Sequence, residues 1–253
     1  MDESAPEFNI LRRANDRQTS ARAALANNLA TSPIPRDEIL DHLGLYMSRH
    51  AVGRVLFLAE LYQQILSVHG SILQFGVRWG RDLAILQALR TTLEPGNGAR
   101  SIIGFDTFEG FPSFKSEDGS EAIIEAGAYA VTDDYDADLE RVLALRDDEM
   151  GNPYPRRELV RGDVLETLPS WLDAHPETIV ALAYLDLDLY EPTRCCLEVL
   201  RPFLTKGSVI AFDELALAES PGETVALREV WGLENIRLVR TPYLGFPSYA
   251  VLD

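Results

Sequence analysis

The sequence predicts an α/β fold in which a mostly parallel sheet is covered by helices on both faces. Short, nearly continuous apolar runs recur between residues 71 and 214, and helical patterns of about 10–15 residues separate most of them. Each of the first five runs ends in glycine or an acidic residue. The chain has 253 residues, which is enough to bury a substantial core.

Composition and charge limit the partners and the compartment. The net charge of −17 argues against nucleic acid or an anionic membrane as a partner, since both require a basic surface. The only cysteines, Cys195 and Cys196, are sequence neighbours and indicate free thiols in a reducing compartment. The sequence shows neither a signal peptide nor an apolar run of membrane-spanning length, so we expect a cytoplasmic protein.

Residues 1–69 are predicted to form a helical arm that precedes the sheet. Residues 1–35 are polar and end in a Pro-rich break, and a helical pattern follows from 36 to 69. Two apolar stripes lie in that pattern: Leu40, Leu43, Tyr46 and Met47, then Val55, Leu58, Leu61, Tyr62 and Ile65. We expect the arm to cover the active site, to form contacts in a homo-oligomer, or both.

Residues 70–253 are predicted to form the sheet domain, and its elements follow in order. The five parallel strands are expected at 71–76, 101–106, 157–163, 178–188 and 208–214, with helices at 81–93, 166–174, 192–204 and 221–231. The runs at 235–240 and 248–253 are only seven residues apart, too close for a helical crossover, and so should pair antiparallel. Five parallel strands followed by such a pair are typical of class I methyltransferases.

The connection 107–156 is unusually long for a compact domain. It is acidic and contains the stretch Gly127-Ala128-Tyr129. A connection of this length predicts a lid or a helical insertion near the substrate.

Polar residues at the strand ends are the candidate ligand contacts, because ligands of such sheets bind beyond the carboxyl ends of the strands. The first strand leads into a Gly-x-x-x-Gly turn at 76–80, which differs from the Gly-x-Gly-x-x-Gly of dinucleotide enzymes and disfavours NAD. Asp106 ends the second strand, where a carboxylate can accept from ribose hydroxyls. Asp163 follows the third strand. An adenosine-bearing cofactor explains all three features, although an exposed strand end explains each one singly.

Four acids should meet at the ends of the fourth and fifth strands: Asp186, Asp188, Asp213 and Glu214. Crowded carboxylates repel one another unless they share protons or a cation. Oxygen ligands of this kind favour Mg²⁺, Ca²⁺ or Mn²⁺ over Zn²⁺. The alternative is that Asp188 and Glu214 are solvated loop acids.

Five segments together resemble the macrocin O-methyltransferase family. They are 74–80 (QFGVRWG), 106–112 (DTFEGFP), 162–163 with 166–169 (GD, ETLP), 186–193 (DLDLYEPT) and 213–214 (DE). The resemblance runs from about residue 60 to residue 253. Two positions depart from the family pattern: Gln74 stands where glutamate is usual, and Glu214 where aspartate is more common.

The resemblance implies an S-adenosylmethionine-dependent, Mg²⁺-assisted O-methyltransferase acting on sugar hydroxyls of natural products. Asp106 would bind the ribose and Asp163 the adenine. The implied cofactor contacts are Gln74, Gly76, Val77, Gly80, Asp106, Thr107, Phe108, Gly162 and Asp163. The implied metal ligands are Asp186, Asp213 and Glu214.

The predicted mechanism is methyl transfer to a hydroxyl of a small-molecule sugar or glycoside. Asp186 would hold the metal that activates the hydroxyl, and Asp188 would act as the general base. The alternatives are a metal-independent methyltransferase and a protein that binds an adenosine cofactor without turnover. An NAD-dependent sugar enzyme is disfavoured by the missing glycine fingerprint.

Overall fold

A computed structural model describes residues 14–111, 115–119 and 127–253. The strands are β1 Ser71–Phe75, β2 Ile102–Asp106, β3 Arg157–Arg161, β4 Val180–Leu185, β5 Leu204–Phe212, β6 Val239–Arg240 and β7 Ser248–Val251. The helices are α1 Asp16–Ala30, α2 Arg49–Ile65, α3 Arg81–Leu93, α4 Tyr135–Glu149, α5 Val164–Ala174, α6 Tyr190–Leu200 and α7 Gly222–Val230.

The seven strands form one sheet in the order β3-β2-β1-β4-β5-β7-β6. The first five are parallel, while β7 pairs antiparallel with both β5 and β6. This confirms the predicted class I methyltransferase sheet and its antiparallel terminal pair. The strand order reverses between β1 and β4, which makes their carboxyl ends the expected ligand site.

Two apolar layers hold the sheet, one on each face. The α2 and α3 side contains residues such as Phe57, Leu86 and Tyr184, and the α5, α6 and α7 side contains residues such as Phe75 and Leu197. Strands β1, β4 and β5 are buried along most of their length, since both of their faces are covered. Packing of the two apolar layers against the sheet therefore fixes the positions at which these strands end.

Strand β4 ends earlier than the sequence predicted. It stops at Leu185, and the expected extension to residue 188 is wrong. Beyond it, Asp188 has a left-handed backbone with φ +60°. The alternation that would place Asp186 and Asp188 on one side of an extended strand is therefore broken.

The N-terminal region is less helical than predicted between residues 36 and 48. Only a short 3-10 turn, Leu43–Leu45, lies there, and the apolar side chains of the first stripe lie mostly on turns at the surface. The second stripe lies in α2 and is largely buried. Residues 1–13 of the predicted arm and residues 112–114 and 120–126 of the long connection fall outside the described residues.

The connection 107–156, hereafter the insertion, contributes helix α4 and a hydrogen-bonded loop, 108–111 with 127–131, which we call the pinned loop. Leu139 and Leu143 of α4 reach the core. Backbone hydrogen bonds join the loop at 108–111 to the segment 127–131 at three points, which closes the described part of the insertion over the sheet. No helix in the described ranges is long and apolar enough to cross a membrane.

Candidate active site

The carboxyl ends of β1 and β4 meet at very short range. Gly76, which follows β1, has φ +84°, and a Cβ there would lie 1.8 Å from the carbonyl oxygen of Asp186. Gly80 has φ +75°, and a Cβ there would meet Leu139 of α4 at 2.3 Å. The backbone carbonyl therefore requires glycine at position 76, and the left-handed φ favours it at position 80, reasons that the Gly-x-x-x-Gly pattern did not reveal.

A cavity of about 450 Å³ opens at this edge of the sheet. Every strand-end segment singled out in the sequence contributes to its wall. The predicted residues that line it are Gln74, Gly76, Val77, Asp106, Thr107, Gly162, Asp163, Asp186, Asp188, Asp213 and Glu214. Two predicted residues lie outside the lining: Gly80 is the N-cap residue that precedes α3, and Phe108, which has a left-handed backbone, packs into the core.

Asp106 holds the glycine turn in place. Its Oδ2 accepts from the backbone N–H groups of Val77 at 2.6 Å and Arg78 at 2.7 Å. Its Oδ1 accepts from the backbone N–H of Phe108 at 2.6 Å. These bonds leave part of the carboxylate's accepting capacity for a ligand, so ribose binding by Asp106 stays a prediction.

Asp163 and Gln74 have local partners as well. The Asp163 side chain caps α5 by accepting from the backbone N–H of Leu165 at 2.9 Å, so its adenine role also stays a prediction. Gln74 is buried, and its Nε2 donates to the carbonyl of Gly76 at 2.9 Å. Its buried Oε1 has no hydrogen-bond partner among the described residues. That acceptor is available to a ligand in the cavity.

The acidic cluster contains a buried cation that the sequence analysis missed. Arg54 of α2 donates to Asp213 through two guanidinium nitrogens, from Nη1 to Oδ1 and from Nη2 to Oδ2 at 2.9 Å. Its Nη1 also donates to the hydroxyl of Tyr184. Tyr184 in turn donates to Asp213 at 3.1 Å. The Arg54 side chain is only 4% exposed. A forked ion pair therefore fixes Asp213 at the base of the cavity.

The four acids have different electrostatic environments. Burial, followed by the charge of Asp213, raises the pKa of Asp186 well above its usual range and raises that of Asp188 to about 7. Burial, followed by the charge of Asp188, raises the pKa of Glu214 to about 8. Burial opposes ionisation of Asp213 as well, but the charge and hydrogen bonds of Arg54 outweigh it and lower that pKa. At neutral pH the cluster therefore combines an ionised carboxylate with others that hold protons.

The predicted metal ligands surround the cavity without forming a metal site as they stand. No group of three or more His, Cys, Asp or Glu side chains within the described residues is arranged to hold a metal ion. Both oxygens of Asp213 already accept from Arg54. The positive charge of this guanidinium opposes a second cation at Asp213.

The side chain of Glu223 links the loops that follow β4 and β5. Its carboxylate is fully buried and accepts at 3.2 Å from the backbone N–H of Leu187 and at 3.2 Å from that of Glu214. Burial raises its pKa well above the ordinary value, followed in size by the effect of the Asp188 charge. Glu223 thus sets the spacing between the β4 and β5 loops, and it was not identified from the sequence.

The insertion docks on the same site through Asp118. This buried side chain accepts from the backbone N–H of Tyr190, the first residue of α6, and at 2.6 Å from that of Lys115. Helix α6 has no side-chain cap of its own. Lys115 adds an ion pair with Glu191 at 2.6 Å. The insertion therefore caps the helix that begins just after Asp188.

The sequence contained a signal for Arg54 that was overlooked. This arginine lies on the buried face of α2, between Gly53 and Phe57. A charge on the apolar face of an amphipathic helix requires a buried partner of opposite sign. Asp118 and Glu223 gave no comparable signal, because their partners are distant backbone groups.

Comparison with known proteins supplies the context. No family model matches the chain. The crystal structure of CalS11, a calicheamicin methyltransferase, is 42% identical over 98% of this chain and 97% of its own, with a TM-score of 0.91. The apo structure of CalS11, described as a TDP-rhamnose 3'-O-methyltransferase of calicheamicin biosynthesis, is 40% identical over 95% of this chain and 96% of its own, with a TM-score of 0.82.

A curated relative is more distant. It is the 8-demethyl-8-(2,3-dimethoxy-alpha-L-rhamnosyl)-tetracenomycin-C 4'-O-methyltransferase of Streptomyces olivaceus, 30% identical over 158 residues. The match covers 59% of this chain, and the chain spans about half (54%) of the length of that relative. The O-methyltransferase NovP, 19% identical with a TM-score of 0.61, shares the fold.

Proposed function

The chain belongs to the macrocin O-methyltransferase family of S-adenosylmethionine-dependent sugar O-methyltransferases, and we propose that it methylates a hydroxyl of a thymidine-diphosphate (TDP) sugar in natural-product biosynthesis. The observation that carries this proposal is similarity along nearly the whole chain to an enzyme described as acting on TDP-rhamnose. The sequence left the carrier open, and the proposal commits to a nucleotide.

The cavity suits S-adenosylmethionine in its chemistry. The unpartnered Oε1 of Gln74 supports this proposal, since it would accept from the ammonium group of the cofactor. Asp106 and Asp163 would take the ribose and the adenine. When bound, the cofactor supplies a methyl group on a positively charged sulfur, which the surrounding acids favour electrostatically.

Asp188 is the general base in this proposal. An alcohol is a weak nucleophile until a base accepts its proton, and a base works best when its pKa lies near the working pH. The pKa of Asp188, raised to about 7 by burial and then by the charge of Asp213, meets that condition. Asp186 is less suited because burial and Asp213 hold it protonated. The residues of the chain therefore bind, orient and deprotonate the acceptor hydroxyl.

Metal assistance stays a prediction. The number of acids at the cavity favours a cation, whereas the pairing of Arg54 with Asp213 opposes one. If a divalent cation is required, dialysis against EDTA should abolish methyl transfer, and Mg²⁺ should restore it. Calorimetry with S-adenosylmethionine on the EDTA-treated protein controls for loss of cofactor binding. Full activity in EDTA would overturn the metal-assisted version and favour the metal-independent alternative.

Direct assay tests the proposed function. The protein should bind S-adenosylmethionine in the micromolar range by calorimetry. It should also convert TDP-rhamnose to a product heavier by one methylene group, as measured by mass spectrometry. Binding without transfer to any TDP-sugar would favour the non-catalytic alternative. Transfer to a finished glycoside but not to its TDP-sugar would overturn the proposed carrier.

A further inference from the structure

Tyr129 is held at the cavity by the pinned loop of the insertion. The backbone N–H of Phe111 donates to the carbonyl of Ala128 at 3.1 Å, and that of Gly127 donates to the carbonyl of Phe111 at 3.1 Å. A Cβ on Gly110 would collide with the carbonyl of Ala128 at 2.3 Å, so the two segments are in close contact. These contacts fix the backbone on which Tyr129 stands.

The ring of Tyr129 is fixed by two neighbours. The guanidinium carbon of Arg78 lies 4.9 Å from the ring centroid, and the ring of Phe111 packs at 5.2 Å with a tilt of 60°. A cation over an aromatic face and a tilted aromatic pair are both favourable arrangements. The ring is therefore oriented before any ligand binds, which leaves its hydroxyl edge as the part available to the cavity.

Tyr129 lines the cavity, where its side chain contacts Arg78 and Phe111 through the ring. Burial, followed by the charges of Asp188, Glu214 and Asp186, raises the pKa of Tyr129, so the hydroxyl remains protonated and able to donate. Tyr129 lines the same cavity as Asp186, Asp188 and Glu214, the acids that are expected to meet the acceptor.

Backbone strain supports a function for this residue. Tyr129 has φ +64°, a conformation that costs energy for a residue with a side chain. Arg78 at φ +49° and Asp188 at φ +60° share it, and all three line the cavity. Strained residues that cluster at one site are typical of a site that positions a ligand.

We propose that Tyr129 is an acceptor-binding residue whose hydroxyl donates a hydrogen bond to the sugar hydroxyl next to the one that is methylated. This inference rests on the proposed function and deepens it. Asp188 accepts the proton of the reacting hydroxyl, and Tyr129 binds its neighbour. The preferred acceptor is therefore a sugar with two adjacent free hydroxyls, and the pair fixes which of them reacts.

A substitution matched to a change in the substrate tests the inference. With TDP-rhamnose, Tyr129→Phe should lower kcat/KM about 10-fold, because one hydrogen bond is lost while the ring remains. TDP-sugar analogues that each lack one hydroxyl adjacent to the methylated one are then compared. Wild type and variant should have the same kcat/KM with a single analogue, the one that lacks the hydroxyl bound by Tyr129. The Kd for S-adenosylmethionine by calorimetry should change less than twofold.

Controls separate binding from packing. Tyr154→Phe removes a phenol hydroxyl from a half-exposed tyrosine outside the cavity and should leave every rate unchanged. The thermal unfolding midpoint of Tyr129→Phe should equal that of wild type within about 2 °C. An equal loss with all acceptors, or no loss with any, would overturn the role of Tyr129 alone. Failure of the wild type on every TDP-sugar would overturn the proposed function and this inference with it.

Discussion

At the scale of single residues, the ion pair of one buried arginine with one acid shapes the electrostatics of the site. Arg54 neutralises Asp213, while Asp186, Asp188 and Glu214 lie beyond the reach of its hydrogen bonds. The pKa of Asp213 is lowered, and burial together with its neighbours raises the pKa values of the other three. The contact with Arg54 thus distinguishes Asp213 from three other acids whose pKa values are raised chiefly by burial.

Replacing Asp188 by asparagine should remove the general base. We expect kcat to fall about 10²- to 10⁴-fold with little change in the Kd for S-adenosylmethionine. Because a base with a raised pKa is ionised only above that pKa, kcat of the wild type should rise with pH up to about 7 and then level off. The groups facing Asp188 in this balance are Asp213, Arg54 and Arg78.

The control is Asp173→Asn, which changes an exposed aspartate at the end of α5 and should leave the pH profile intact. A rate for Asp188→Asn within threefold of wild type would exclude Asp188 as the base. A profile for that variant that still rises toward pH 7 would assign the ionisation to another group.

Removing the charge of Arg54 should destabilise the protein. Arg54→Met leaves Asp213 buried without its counter-charge, and we expect a loss of about 3–5 kcal/mol in the free energy of unfolding. Adding Asp213→Asn should recover part of that loss, because the uncompensated charge is then gone. Chemical denaturation of both single variants and the double variant measures the coupling.

The exposed pair Arg141 and Asp138 provides the comparison, since a surface ion pair contributes about 0–1 kcal/mol. Equal costs for Arg54→Met and Arg141→Met would contradict the structural role given to Arg54.

At the scale of elements, the insertion and α6 form one unit around the strand ends. Asp118 reaches across 72 residues to cap the first turn of α6, a helix that provides no cap itself. The loop that carries Asp188 lies between β4 and this capped turn. The position of the base therefore depends on the docking of the insertion.

Asp118→Ala should loosen both elements. We expect a loss of about 0.5–2 kcal/mol in stability, as for other lost helix caps, together with a lower kcat. Asp118→Asn should be milder, since its amide oxygen can still accept one of the two N–H groups. Denaturation curves and steady-state kinetics measure the two effects.

Glu117→Ala alters the exposed neighbour on the same turn and serves as the matched control. If Asp118→Ala and Glu117→Ala behave alike, the contact between Asp118 and α6 has no energetic importance.

At the scale of the whole molecule, the N-terminal arm is the part least accounted for by contacts within one chain. Helix α1 has no buried residue, and a 15-residue helix is marginally stable alone in water. Leu25, Leu40 and Leu45 are 48%, 67% and 66% exposed. The boundary of the arm at residue 69 and the homo-oligomer predicted from the sequence both stay predictions.

Light scattering coupled to size exclusion tests the oligomer. The wild type should elute with at least twice the mass of one chain. The double variant Leu25→Glu/Leu45→Glu should have a mass closer to that of the monomer, because charges are costly in a buried apolar contact. Leu145→Glu on α4, also exposed, is the control and should not change the mass. A monomeric wild type at micromolar concentration would contradict the prediction.

The sequence by itself determined the sheet and the edge at which the site lies. The apolar runs of β1, β4 and β5 and the acids that follow them are local patterns, so the fold class, the antiparallel terminal pair and most cavity-lining residues could be predicted. The segment 186–193 likewise identified the family, because its residues are contiguous.

Only the tertiary structure decided what those residues contact. Arg54 and Asp213 are 159 residues apart, and Tyr129 lines the same cavity as the acids because the segment 127–131 is hydrogen-bonded to the loop at 108–111. The need for glycine at position 76 comes from the carbonyl of Asp186 on another strand. Periodicity along the chain records which face is buried, whereas charge pairing and close backbone approach depend on how distant segments pack, and no local pattern contains that information.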